Sequence, residues 1–577
     1  MAQRFSTLAV LGLGTSGSAF AEAAARAGHR VIGVDTDEAA LHRARARLLD
    51  AGPGTVVLGS RLREVAAADL VVEAVPERLD VKSDVLRRAD GVCGPETVFA
   101  TTTTGLSVTE IAFRAGRPER TAGLHLFPPQ RAGRPTTVEV VSTAVTDGSL
   151  PGELRDLVHG LGYTPVGVAD RPGFVGGALT MAYLNSAAAM VDQGYASCAD
   201  IDAAMRLGCG LPMGPLAQLD AIGLDTARDT LEALYERTGE RRYLPAPVLV
   251  HRAAAGLLGR KTGRGFHDCT GVHGAEGAAD AGGERTGGAA PELRGVRSIG
   301  IVGSGTMATG IAEVCVRSGY PTIVAARGEA RAKELHGAVE RSLNRGASRG
   351  KLAPGLVAPS LERLSGAVGL EGLAGCDVVI EAVVEDISVK RAVFAGLDAV
   401  CGPDAVLATT TSSLPVIECA MATRRPEAVV GTHFFNPAPV MRLVEVAHTV
   451  LTSPGTLGTV RALTAALGKH AVSCRDRTGF IVNALLFPYL NSAVEMLEEG
   501  RAGGEDIDTV MAVGQGYPLG PLELLDVIGL DVSLAIQRTL HHTFKEPYLA
   551  PARPLEQLVQ AGHLGRKGGK GLRRPMP

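Results

Sequence analysis

Two stretches of this chain carry nearly the same text. DIDAAMRLGCGLPMGPLAQLDAIGLD begins at Asp200, and DIDTVMAVGQGYPLGPLELLDVIGLD begins at Asp506. Glycine-rich codas follow each, LGRKTGRGF from Leu258 and LGRKGGKGL from Leu564. Both pairs stand 306 positions apart. A constant offset of this kind marks a tandem duplication in which each copy is a complete folding unit. Copies of roughly 290 residues exceed one hydrophobic core, so each should divide again into two domains. Duplication also lets each copy be read against the other.

Each copy opens with a dinucleotide-type glycine loop. In the first, Leu8-Ala9-Val10-Leu11 predicts a strand, Gly12, Gly14 and Gly17 make a GxGxxG turn, and an alanine-rich helix follows. A second strand, Val31 to Val34, ends in Asp35. Strand, loop, helix and then an acid about twenty residues on is the context in which such a loop binds a dinucleotide, the acid taking the ribose hydroxyls of NAD. The second copy has Gly303, Gly305 and Ala308 in the same places, alanine being tolerated at the third. Its second strand ends in Ala326-Arg327, without the acid. A guanidinium there favours a 2′-phosphate and so NADP, with NAD, and an arginine merely solvated on a loop, as the open alternative.

The later part of the second copy carries more specific text. It reads Ala408-Thr-Thr-Thr-Ser412-Ser413, Gly431-Thr-His433-Phe-Phe-Asn436-Pro437, Met441-Arg-Leu-Val-Glu445 and Thr478-Gly-Phe-Ile-Val-Asn483, preceded by DVVIEAVVED around Glu385. Together these runs resemble the L-3-hydroxyacyl-CoA dehydrogenase family across essentially both copies. The resemblance implies His433 as general base, Glu445 as the carboxylate holding its other ring nitrogen, and Ser412 and Asn483 as hydrogen-bond partners of the reacting oxygen. It places Glu385, Lys390 and Asn436 near the cofactor, and Ser342, Arg349 and Lys351 as contacts to CoA. Singly, each has a plainer reading: a turn serine, a packing amide, a surface charge.

The first copy departs from this pattern. Thr104-Gly105 replaces Ser412-Ser413, Pro128 replaces Asn436, and Gly177 replaces Asn483. His125 and Glu139 survive, but 14 positions apart instead of 12, with Gly133-Arg134-Pro135 between them. The offset between copies is 291 at the glycine loop and 308 at Glu77 and Glu385, so 17 residues are missing from the first copy in between. In the second copy that region, Ala330 to Leu364, has a helical pattern and a basic turn, which the resemblance assigns to CoA.

The expected architecture is an α/β Rossmann-type domain plus an all-helical C-terminal domain, repeated twice in one chain. The expected boundaries are 1–170 and 171–267 for a degenerate first copy, 268–295 for a Gly/Ala-rich flexible linker, and 296–476 and 477–577 for an active second copy. Family members dimerise through their helical domains, which implies an intramolecular pseudo-dimer here, with further oligomerisation open. A net charge of −3 gives no reason to expect nucleic acid or anionic membrane as a partner, and no apolar run is long enough to span a bilayer. The start lacks a basic, cleavable leader pattern. Nine cysteines without a CxxC pair read as reduced thiols in a cytoplasmic protein, with no metal site. The expected function is hydride transfer between a nicotinamide and C3 of a short-chain L-3-hydroxyacyl-CoA, the 3-hydroxybutyryl-CoA/acetoacetyl-CoA pair. A 3-hydroxyadipyl-CoA dehydrogenase of aromatic-acid catabolism is the close alternative, and a nucleotide-binding regulatory or scaffold protein the alternative from another class.

Overall fold

Strands that must be buried on both faces set the frame. Ile299-Gly-Ile-Val302 and Val378-Val-Ile-Glu381 are apolar runs without alternation, as expected where helices cover both sides of a parallel sheet. The computed structural model describes residues 4–48, 51–127, 136–270 and 295–573. In it the first copy forms β1 (Thr7–Leu11), β2 (Arg30–Val34), β3 (Val56–Gly59), β4 (Leu70–Glu73), β5 (Val98–Thr101), β6 (Thr121–Leu126), β7 (Thr137–Ser142) and β8 (Thr164–Ala169). The second forms β9 (Ile299–Val302), β10 (Thr322–Ala326), β11 (Leu364–Val368), β12 (Val378–Glu381), β13 (Val406–Thr409), β14 (Val429–Phe434), β15 (Leu443–His448) and β16 (His470–Arg475).

Each set makes one eight-stranded sheet, ordered 3-2-1-4-5-6-7-8 and its counterpart 11-10-9-12-13-14-15-16. The first six positions are the Rossmann order with its switch point between the two central strands. Pairing is parallel except between β6 and β7 and between β14 and β15, where the chain doubles back. That reversal sets His125 opposite Glu139 and His433 opposite Glu445 in identical register. The two extra residues of the first copy therefore do not shift the strands. Pro128 and the Gly133-Arg134-Pro135 segment lie outside the described residues.

The 17-residue difference falls where expected. A 20-residue helix, Glu329–Ser348, and a short one, Val357–Glu362, separate β10 from β11, whereas the first copy has only Glu38–Leu48. Of the expected linker, residues 271–294 lie outside the described residues. Asp268 to Thr270 belong to the preceding fold instead, since the Cys269 N–H donates to the Gly263 carbonyl and Asp268 bridges to Arg264.

The helical regions of both copies share one apolar core. Helices Gly176–Asp192 and Val482–Glu498 pack on each other, and the equivalent Tyr183 and Tyr489 rings meet at 6.1 Å. Each helix repeats one device. Asn185 Oδ1 accepts the Ala246 N–H, and Asn491 Oδ1 accepts the Ala552 N–H, both at 2.8 Å. Backbone bonds cross between copies as well, from Ala169 N–H to the Arg501 carbonyl at 2.7 Å and from Arg475 N–H to the Tyr195 carbonyl at 3.1 Å. Arg242 reaches across to Ser492 Oγ at 2.6 Å and to Glu495 at 2.9 Å. Removing one member of a largely buried ion pair leaves the other uncompensated. Arg242→Ala should therefore destabilise the full chain by about 2–3 kcal/mol in a denaturant titration, below the range for fully buried pairs because Glu495 keeps some solvent. An unchanged midpoint would show that the crossing pair does not support the joint.

Candidate active site

The glycine loops have the geometry their sequence requires. Gly303 has φ +126°, and a Cβ there would stand 2.4 Å from the Ala382 carbonyl oxygen. Gly12 has φ +92°, with its Cβ position 2.6 Å from the Ala74 carbonyl oxygen. Gly17 packs its helix directly on the Gly12 backbone, and Ala308 fills the same place with its buried methyl. At Gly14 and Gly305 a Cβ would meet nothing within 4 Å. These second glycines leave bare backbone at a helix N-terminus, facing open space, which fits the approach of a pyrophosphate. A cleft of about 1280 Å³ runs from the Gly303–Met307 loop to Arg327, just after β10, and Arg331 on the helix that follows. In the first copy the acid at this point, Asp35, accepts the Leu13 N–H at 2.7 Å.

Beyond the loop lies a buried carboxylate–histidine pair. The His433 Nδ1–H donates to Glu445 Oε2 at 2.7 Å, and Glu445 is fully buried. Its other oxygen accepts the Ile481 and Val482 N–H groups at 3.0 and 2.8 Å, at the start of the helix that carries Asn483. Phe435 and Phe480 pack on the imidazole with centroids at 4.5 and 5.8 Å. With Nδ1 committed to the carboxylate, the neutral ring carries its lone pair on Nε2, the arrangement of a general base. Ser412 lies on the turn after β13, and the Asn483 amide donates to its carbonyl at 3.5 Å.

That turn is gripped from behind by Glu385, whose Oε1 accepts from Thr411 Oγ1 at 2.7 Å, Ser412 N at 2.8 Å and Ser412 Oγ at 3.2 Å. Burial pushes the Glu385 carboxyl up, but the Lys390 ammonium and these hydrogen bonds outweigh it and hold it below the ordinary glutamate range. Lys390, expected near the cofactor, is buried on the helix whose Ser388 and Val389 line the cleft, with Nζ 2.9 and 3.0 Å from the two Glu381 oxygens and 3.3 Å from Glu385. It braces the carboxylates and lines no cleft described here.

The residues expected to contact CoA separate in the structure. A groove of about 520 Å³ lies between helix Glu329–Ser348, the Ser304–Thr306 loop and Asn436–Val440. Ser342 and Asn436 line it, as do Arg345, which opens the basic turn of the sequence, and Arg341, which no sequence motif singled out. Arg341 and Arg345, one helical turn apart, were findable as a basic stripe. Arg349 and Lys351 are exposed beyond the end of the helix and do not line this groove.

The first copy keeps more of this machinery than its sequence suggests. His125 Nδ1–H donates to buried Glu139 Oε2 at 2.6 Å, and Glu139 Oε1 accepts the Val175 and Gly176 N–H groups at 3.1 and 2.9 Å. Thr104 replaces Ser412 without loss of the turn, its Oγ1 bonding Glu77 at 3.3 Å. Glu73 and Lys82 repeat the buried pair at 2.9 Å. The differences that remain include Gly177 for Asn483, Asp35 where the second copy has Ala326, and the shortened helical excursion, with Pro128 for Asn436 outside the described residues.

A dinucleotide loop and a buried histidine–glutamate pair on one Rossmann sheet define a nicotinamide-dependent dehydrogenase. The sequence matches the 3-hydroxyacyl-CoA dehydrogenase NAD binding domain over residues 7–171 and 298–477 and the C-terminal domain of the same enzymes over 173–269 and 479–574. The chain therefore belongs to the 3-hydroxyacyl-CoA dehydrogenase family. It is 43% identical over 279 residues to a 3-hydroxybutyryl-CoA dehydrogenase of Mycobacterium tuberculosis, covering 48% of this chain and 98% of that one. It is 40% identical over 279 residues to the 3-hydroxyadipyl-CoA dehydrogenase of Escherichia coli K12, covering 48% of this chain and 58% of that one. The solved structure of a 3-hydroxybutyryl-CoA dehydrogenase from Escherichia coli K12 shares the fold along 97% of this chain and 99% of its own, with TM-score 0.66 and 24% identity.

Because a Cβ at Gly305 meets no protein atom and the residue has an ordinary φ of −81°, Gly305→Ala should leave the melting temperature unchanged. It should weaken nicotinamide dinucleotide binding to the second copy by about tenfold or more, the effect of a methyl forced into a close contact. Unchanged affinity in a fluorescence titration would remove the loop from the cofactor site.

Proposed function

We propose that the second copy oxidises a short-chain L-3-hydroxyacyl-CoA reversibly to the 3-oxoacyl-CoA, and that the first binds NAD without turning over an acyl-CoA. The observation that carries this reading is the groove lined by Arg341, Ser342 and Arg345, on the part of a 20-residue helix that extends beyond its 11-residue counterpart, Glu38–Leu48, in the first copy. Arg349 and Lys351 add positive charge beyond its end. His433 accepts the proton of the 3-hydroxyl at Nε2. Glu445 fixes the tautomer and stabilises the imidazolium, while Ser412 and Asn483 orient the reacting oxygen. Glu385 and Lys390 hold the Ser412 turn in place. Gly303, Gly305, Ala308, Arg327 and Asn436 hold the nicotinamide dinucleotide, which when bound supplies the acceptor for the C3 hydride. Gly12, Gly14, Gly17 and Asp35 serve that purpose in the first copy.

A 3-hydroxyadipyl-CoA substrate is the second reading, favoured by the name of the Escherichia coli relative. The shared helical core supports an intramolecular pseudo-dimer in which the first copy occupies the place of a partner subunit. Among the described residues no helix is long and apolar enough to cross a membrane, and the nine free thiols fit a reducing cytoplasm.

With acetoacetyl-CoA as substrate, His433→Ala should lower turnover by about a hundredfold or more, as loss of a general base does. His125→Ala should leave it nearly unchanged, and comparable losses from the two would contradict the assignment. Arg327 at the end of the cleft, with no acid at Ala326, favours NADPH in the second copy. Arg327→Ala should raise the KM for NADPH several times more than that for NADH, and a wild type that uses NADH better would overturn this preference.

A further inference from the structure

A cavity of about 400 Å³ lies where the two helical regions meet, outside the site already described. Its walls come from both copies: Ala189 and Gln193 from the first, Arg477, Pro488, Leu540 and Phe544 from the second. Three arginines reach it, and two are matched by acids. Arg241 lies 3.3 Å from Glu546, and Arg242 lies 2.9 Å from Glu495 with Glu240 also beside it.

Arg477 is different. Its guanidinium stands 4.4 Å from the Phe544 ring centroid and 5.4 Å from that of Tyr195. One Nη donates to the Gln193 amide oxygen at 2.7 Å. No carboxylate among the described residues pairs with it, and burial shifts its pKa downward. A guanidinium has five N–H donors. A neutral amide and two ring faces leave it a partly desolvated cation with donors to spare, beside a cavity of mixed polar and apolar walls in which Pro488, Leu540 and Phe544 form an apolar side.

We propose that this cavity is a binding site for a small carboxylate with a short apolar tail, the carboxylate pairing with Arg477 and the tail lying against Leu540, Phe544 and Pro488. A planar carboxylate matches the guanidinium fork, and four to six carbons fit the volume. The site exists once per chain. The first-copy equivalent of Arg477 is Arg171, and the positions equivalent to Phe544, Tyr195 and Gln193 are Thr238, Arg501 and Glu499, which build no aromatic cage. Arg477 also opens the turn whose Phe480 packs on His433 and whose next two N–H groups hold Glu445. An occupant therefore ties the joint between the copies to the segment that positions the catalytic pair.

The test is calorimetric titration of the full chain with hexanoate, with acetoacetyl-CoA saturating the substrate site, and with inorganic phosphate as a tail-less anion. The expected result is one hexanoate per chain, insensitive to acetoacetyl-CoA and accompanied by a rise in melting temperature. Arg477→Gln should weaken hexanoate by about tenfold or more, the scale of a charged hydrogen-bonded contact. Ala189→Leu, which fills the cavity and leaves every charge in place, should do the same and serves if Arg477→Gln fails to fold. Absence of binding, displacement by acetoacetyl-CoA, equal binding by Ala189→Leu, or phosphate binding as tightly as hexanoate would each overturn the proposal.

Discussion

One buried carboxylate ties the second copy together. Glu445 is fully enclosed, and its two oxygens take three hydrogen bonds, one from His433 on the neighbouring strand and two from the first N–H groups of the long helix that follows the sheet. A carboxyl group enclosed in that position is tolerated because its oxygens are hydrogen-bonded. The same three bonds orient the imidazole, seat the helix on the sheet and bring Asn483 to the Ser412 turn. Histidine orientation and helix docking are thus one constraint, and Glu139 imposes it again in the first copy.

That repetition explains why the first copy keeps its histidine. Losing His125 would leave Glu139 buried with one oxygen unpaired, a cost borne by the fold whether or not the site turns over substrate. The groove beside helix Glu329–Ser348 carries no such obligation, and its helix could be shortened without touching either core. What distinguishes the copies is the longer helix with its basic groove, while the helical regions of both pack into one core.

Much of this was legible in the sequence because the determinants are local. The glycine loops announce themselves by strand, turn and helix in order, and their positive φ angles confirm why Gly12 and Gly303 cannot carry a side chain. The histidine–carboxylate pair was legible through the family resemblance carried by the motifs around His433 and Glu445, not through a local pattern of its own. The insertion between His125 and Glu139 was not interpretable in advance, because spacing along a chain does not tell whether extra residues enter a strand or the turn between strands. Likewise Lys390 was assigned to the cofactor region on its position, whereas its burial against Glu381 depends on two strands and a helix packing together. Arg349 and Lys351 drew attention as charges in a basic turn, but the helix runs on to Ser348 and points Arg341 and Arg345 into the groove instead. The Arg477 cage was invisible for a simpler reason: its residues come from both copies and meet only in three dimensions.

The central claim is that one chain carries two nicotinamide-type loops but a single acyl-CoA site. Calorimetric titration of the full-length chain with acetoacetyl-CoA measures this directly. One equivalent per chain, abolished by charge removal at Arg341 and Arg345, is the predicted result. Two equivalents of similar affinity would contradict the account.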